Sequence, residues 1–174
     1  LMALVMILSL VPTTVFAEDG TTENLGTVHV IVENTTFTEA TASGKTPAWT
    51  GIKVDTDVSL NADSTMMSCI EAAIEKAGLT ADITDSDYGK YISGIAGLYE
   101  FDGGSGAGWM GTLNDWLTNM GFSNYAVSNG TLRAGDEIRV MYSRNGGKDI
   151  GGDFYDMSDT SLTALSFSAG TLSP

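Results

Sequence analysis

Cysteine, histidine and basic residues are scarce in these 174 residues. The chain has one cysteine, Cys69, and one histidine, His29. A single cysteine cannot form an internal disulfide, so stability must come from a packed core. No CxxC or CxxH spacing occurs, which argues against a structural zinc site. A Ser-His-Asp site would have to use His29, which lies mid-strand without a sequence-adjacent partner, and no nucleophile elbow is evident. Eight Lys and Arg face 22 Asp and Glu, for a formal charge of -14. That field repels phosphate, so nucleic acid is excluded as an expected partner. Cofactor-binding signals are equally thin. Gly106, Gly108 and Gly111 match GxGxxG, but they lead into a strand-like run rather than a helix that could hold a pyrophosphate. No cofactor, metal or catalytic site is therefore expected, and the chain reads as a binding domain rather than an enzyme.

What is present begins with LMALVMILSLVPTTVFA over residues 1–17. The apolar stretch is shorter than the roughly 20 residues of a membrane span and ends in Val15 and Ala17, the small-residue pattern of a cleavage site. It reads as the remnant of a signal peptide that lacks its basic front, which places the mature protein in the secreted or cell-surface compartment without a membrane span. Residues 18–26 are polar and read as a lead-in. At 43% hydrophobic content, the rest can bury a core.

Alternation marks strands over residues 27–33, with Val28, Val30 and Val32 on one face, and 51–60, with Ile52, Val54, Val58 and Leu60 on one face. A helix follows, with Met66, Met67, Ile70, Ala73, Ile74 and Ala77 as its buried stripe. Asp63 or Ser64 is its expected N-cap and Gly78 its C-terminal stop. Glu71 and Glu75 fall on its wet side, and Cys69 flanks the stripe as a small buried thiol. Residues 81–90 read as an acidic loop. Strand character returns at 91–98, 109–114 and 137–142, where Ile138, Val140 and Tyr142 face the core; 115–130 reads as irregular or as holding a short helical turn. Two strands, one helix and three more strands predict an α+β fold: a β-grasp-like mixed sheet with one main helix packed on one face.

Two acidic runs, Asp82, Asp85 and Asp87, and then Asp149, Asp153, Asp156 and Asp159, raise calcium. The first lacks the bidentate glutamate of an EF-hand, its twelfth position being Ala96. Both read better as solvated loops. Tyr99, Phe101, Trp109, Met110, Asn114 and Trp116 surround the glycine-rich turn EFDGGSGAG at 100–108. Aromatic rings beside bare backbone suit flat ligands or sugars, and Asn114 could orient one by hydrogen bonds. Trp109 can equally serve as core, with the glycines only making the turn.

The strings YISGIAGLYEFDGGSGAGWMGTLNDW (91–116), AGDEIRVMYS (134–143) and VHVIVENTTF (28–37) resemble the transcobalamin C-terminal-like domain of secreted bacterial proteins. The matching positions are Ile92, Gly94, Ile95 and Gly97; Gly108, Trp109 and Met110; Asn114; and Gly135, Asp136 and Ile138. The resemblance covers about residues 27–153 and implies a β-grasp-like fold. In vertebrate cobalamin carriers a related domain closes over the vitamin together with a large helical domain, which these residues do not include. The tail at 154–174 resembles a linker and the opening strand of a cadherin-like β-sandwich, its strand being LTALSFSAGTL at 162–172. Together these imply a noncatalytic extracellular module for display, adhesion or recognition, with a glycan or surface protein as partner. The alternative is a soluble-ligand binder for a corrinoid-like small molecule.

Processing is directly testable. With a start codon and basic front restored, the exported protein should be cleaved near Ala17. Intact mass of the secreted product checks this; retention of residues 1–17 would refute it.

Overall fold

The structure is a computed structural model describing residues 23–151, apart from 40, 42, 43 and 88. The expected leader at 1–17, most of the lead-in and the tail at 154–174 lie outside the described residues. The elements are β1 (Thr27–Asn34), β2 (Gly51–Ser59), α1 (Met66–Lys76), β3 (Ala81–Ser86), β4 (Gly89–Ile95), β5 (Leu98–Tyr99), β6 (Gly108–Leu113), β7 (Trp116–Leu117) and β8 (Glu137–Ser143). One sheet has the order β2-β1-β8-β6-β7; the second is β3-β4-β5. β1 and β8 pair in parallel and their other neighbours run antiparallel, so the large sheet is mixed. This is the expected α+β architecture with a single α-helix among the described residues.

β1 and β8 sit at the centre. Val28, Val30 and Val32 alternate on β1, and Ile138, Val140 and Tyr142 on β8; all six are buried in one core with Ile70 and Ile74 of α1. β-branched side chains suit this pleated, enclosed surface. The opposite face is charged: Arg139 reaches Glu33 at 3.0 Å and Glu137 at 3.1 Å, and His29 sits between Asp57 (Nδ1 to Oδ1, 2.8 Å) and Asp55 (Nε2 to Oδ1, 3.1 Å). The hydrogen bond to Asp57 raises the His29 pKa above its ordinary value, against the opposing effect of desolvation and with further help from the charge of Asp55.

The N-cap of α1 is Thr65, two residues after Asp63. Thr65 Oγ1 accepts from the Ser68 N–H, and Ser68 Oγ accepts from the Thr65 N–H, a reciprocal capping box. Ser64 cannot cap because its hydroxyl oxygen is turned back to accept the Asn61 N–H. At the other end Gly78 has φ +69°; its N–H donates to Glu75 O and that of Leu79 to Ile74 O. That is a Schellman motif, and Gly78 ends the helix as expected.

Further expectations need correction. Ala77 is exposed at the C-cap of α1 and is not part of its buried stripe. Residues 81–86 are strand, not loop: β3 pairs antiparallel with β4, and only Ala81 and Ile83 are half-buried, so the apolar alternation is too sparse to see. The run at 91–98 is not one strand. Ala96 (φ +51°) and Gly97 (φ +81°) turn it back into the β4–β5 hairpin, a geometry with both central residues at positive φ. Segment 115–130 also contains the short strand β7, besides the expected short helical turn, a 3₁₀ turn at Phe122–Asn124. Ile52 is 56% exposed. Val32 pairs with Val54 but Glu33 pairs with Ile52, so Lys53 is the extra residue of a bulge. The bulge moves Ile52 to the charged face, because one inserted residue inverts the alternation beyond it.

Ile70 is fully buried, whereas Glu71 is half-buried and bonds Lys90 at 2.5 Å. Ile70→Ala should cost about 2–5 kcal/mol of stability. Glu71→Ala should cost no more than about 1 kcal/mol, as a surface ion pair does. Urea unfolding midpoints check the difference; equal midpoints would mean that the helix face is assigned wrongly.

Candidate functional site

The two sheets are tied by aromatic side chains that carry one polar atom each. Trp49 Nε1 donates to Ile95 O at 3.1 Å and Trp109 Nε1 to Leu98 O at 3.3 Å. Tyr142 Oη donates to Tyr99 O at 2.8 Å and accepts from the Gly103 N–H at 2.9 Å. The rings pack on one another: Trp49 stacks on Trp109 at 5.7 Å, and Trp109 meets Tyr142 edge-on at 5.1 Å. A buried indole or phenol needs a partner for its polar atom. Here backbone carbonyls of the small sheet and its hairpin supply those partners, which fixes how far β4–β5 stands from β6–β8.

Beyond this tie the sheets part around a groove of about 870 Å³. One side comes from β4 and its turn, with Lys90, Tyr91 and Ile92. The other comes from the glycine-rich turn and β6, with Gly106, Gly108, Trp109 and Met110. Segment 118–124 also lines the groove. Ile92, Ala107 and Trp109 are buried, whereas Tyr91, Phe101 and Met120 are exposed around the groove. An apolar recess with a few polar groups is the usual form of a small-ligand site.

Its polar groups have local roles. Tyr91 Oη donates to Glu100 Oε2 at 2.5 Å, and burial followed by that carboxylate pushes the Tyr91 pKa upward. Gly108 lies beside this corner; an added Cβ there would meet Tyr91 Oη at 3.8 Å, an ordinary van der Waals contact. Lys90, the groove's cation, is paired with Glu71, while Asp87 stands exposed at the β3–β4 end. Ser143 Oγ donates to Asp149, which also accepts from the Arg144 N–H. Asp149 therefore serves the turn after β8; Asp153, Asp156 and Asp159 lie outside the described residues. Among the described residues no group of three His, Cys, Asp or Glu is placed to hold a metal. Cys69 is buried in the core, with its thiol pushed up to about 11 by desolvation.

Of the six residues singled out in the sequence, the fold brings Phe101, Trp109 and Met110 to the groove. Trp109 does two jobs: it is 6% exposed, part of the core, and also groove wall. The other three do not line the groove. Tyr99 lies on β5 with its ring over Gly94, where a Cβ would come within 2.5 Å. Asn114 holds the β6–β7 turn: its Nδ2 donates to Asp136 Oδ1 at 2.8 Å and its Oδ1 accepts from the Glu137 N–H at 2.9 Å. Trp116 is exposed on β7, opposite Leu113. Sequence reasoning missed Tyr91, Met120 and Phe122. The signal was available in Met120 and Phe122, apolar residues in a segment otherwise polar.

Phe101 breaks two rules at once. It is 57% exposed and has φ +65°. The left-handed region is strained for a bulky side chain, and such outliers cluster at functional sites. The turn imposes it: the Phe101 N–H donates to Ala107 O and the Gly104 N–H to Phe101 O.

The profile of a family described as "Domain of unknown function (DUF4430)" matches residues 63–144, just under half of the chain. No curated protein matches. Among solved structures, haptocorrin in complex with Cbi is similar at 17% identity and a TM-score of 0.48, over 71% of this chain and 26% of that one. A protein of Ruminococcus gnavus ATCC 29149, described as a candidate metal binding protein, is similar at 14% identity and a TM-score of 0.42, over 68% of this chain and 96% of that one. This chain thus spans about a quarter of haptocorrin's length. The family match runs from the lead-in to α1 through β8 and takes in both strands that border the groove.

Proposed function

We propose that this chain is a noncatalytic extracellular recognition module whose ligand lies in the groove between β4 and β6. The observation that carries this is Phe101: an exposed aromatic held at positive φ beside an apolar recess. Folding alone gains little from such a residue, because its strain is not offset by burial. A ligand that covers the ring would offset it. The leader-like residues 1–17 support the extracellular setting, and the groove suits a ligand with an apolar face and a hydrogen-bonding edge.

Corrinoid capture is the second reading. It is favoured by the motif resemblance at 91–116, which supplies Phe101, Trp109 and Met110 to the groove. One small domain offers an open groove and must meet the full entropy cost of association. Corrinoids should therefore bind no tighter than about 10 micromolar, a free energy near -7 kcal/mol.

The test is calorimetry with cobalamin, cobinamide, a glycan panel and extended peptides, on the native chain and on Phe101→Gly. At least one probe class should bind, and the substitution should weaken it by about thirtyfold, as loss of an aromatic anchor does. Stability should be unchanged or raised by up to about 1 kcal/mol, since glycine relieves the strain at the cost of backbone entropy. Binding untouched by Phe101→Gly would refute the groove as the site. Submicromolar cobalamin binding that is lost in Phe101→Gly would make corrinoid capture the function.

A further inference from the structure

β4 and β6 each lose a strand partner where they border the groove. β6 pairs with β8 along its length, but with β7 only at Thr112 and Leu113. The Thr118 N–H reaches Gly111 O at 2.9 Å, and the ladder stops there. Asn114 N–H donates to Glu137 O across the β6–β8 pair. Antiparallel ladders alternate, so Met110 and Thr112 bond toward β8 while Trp109 directs its N–H and C=O to the open edge. On β4, Ser86 and Gly89 close the hairpin with β3, and pairing with β5 begins only at Gly94. The same alternation turns the Lys90 peptide group away from β3. Both stretches line the one groove.

We infer that the groove binds an extended peptide of a partner protein as an added strand on β6, through the N–H and C=O of Trp109. Main-chain bonds supply affinity in such complexes and flanking pockets supply preference. Phe101 and Met110 offer the apolar contacts. Charge selects the peptide: the chain carries -14, Lys90 is neutralised by Glu71, and Asp87 and Glu100 stand at or beside the groove. An acidic peptide is repelled, and one flanked by Lys or Arg is attracted. This assignment rests on the groove being the recognition site.

Three synthetic probes test it on the full chain: the peptide KTVTVTVTK, its counterpart with Glu at both ends, and the Lys-flanked peptide with N-methylated central valines. The Lys-flanked peptide should shift groove amides in NMR spectra and slow hydrogen exchange at the Trp109 amide by about tenfold or more. N-methylation should weaken binding by at least about tenfold, because it removes the donors a strand needs, and the Glu-flanked peptide should bind more weakly than the Lys-flanked one. Groove shifts with no protection at Trp109, or indifference to N-methylation, would overturn strand addition while leaving the groove as the site. Groove shifts with cobinamide or a glycan but no peptide would overturn the peptide alone. No groove response to any of these probes would overturn the site as well.

Discussion

Everything that gives this domain a recess depends on three aromatic rings tied to backbone carbonyls. Trp49, Trp109 and Tyr142 each place a ring in the shared core and a donor on the small sheet or its hairpin. Without those bonds the indole and phenol donors would be buried unpaired, at a cost of about 1–3 kcal/mol each. With them, β4–β5 is held at a set distance from β6–β8. Apolar packing alone could not set that distance, because it is non-directional. The groove is the space left where the tie ends.

The large sheet is the rigid reference for that tie. Its parallel β1–β8 centre buries valine and isoleucine against α1, while its other face carries ion pairs around Arg139 and a histidine bracketed by two aspartates. The glycine-rich turn hangs from this frame. It strains Phe101 into the left-handed region, and that strain persists because the bonds among Phe101, Gly104 and Ala107 over-determine the turn. The recognition reading follows from the same features: a fixed wall, an exposed ring and two strand edges facing one space.

The sequence by itself determined the elements whose side chains repeat with a clear period. β1, α1 and β8 were legible because their buried residues fall at spacings of two or 3.6, and Gly78 marked the helix end. It also gathered Phe101, Trp109 and Met110, since they sit close together in the chain around the turn. Tertiary structure decided the rest. β3 forms through backbone pairing with β4, not through an apolar face of its own, so its aspartates hid it. A one-residue bulge put Ile52 on the other face of the sheet. Asn114 and Trp116 lie within eight residues of Trp109 in sequence, yet two positive-φ residues at the β6–β7 turn keep them out of the groove. Tyr91 and Met120, 29 residues apart, meet there instead. Periodicity reports what one element buries; only the pairing of elements decides which of their edges stay open.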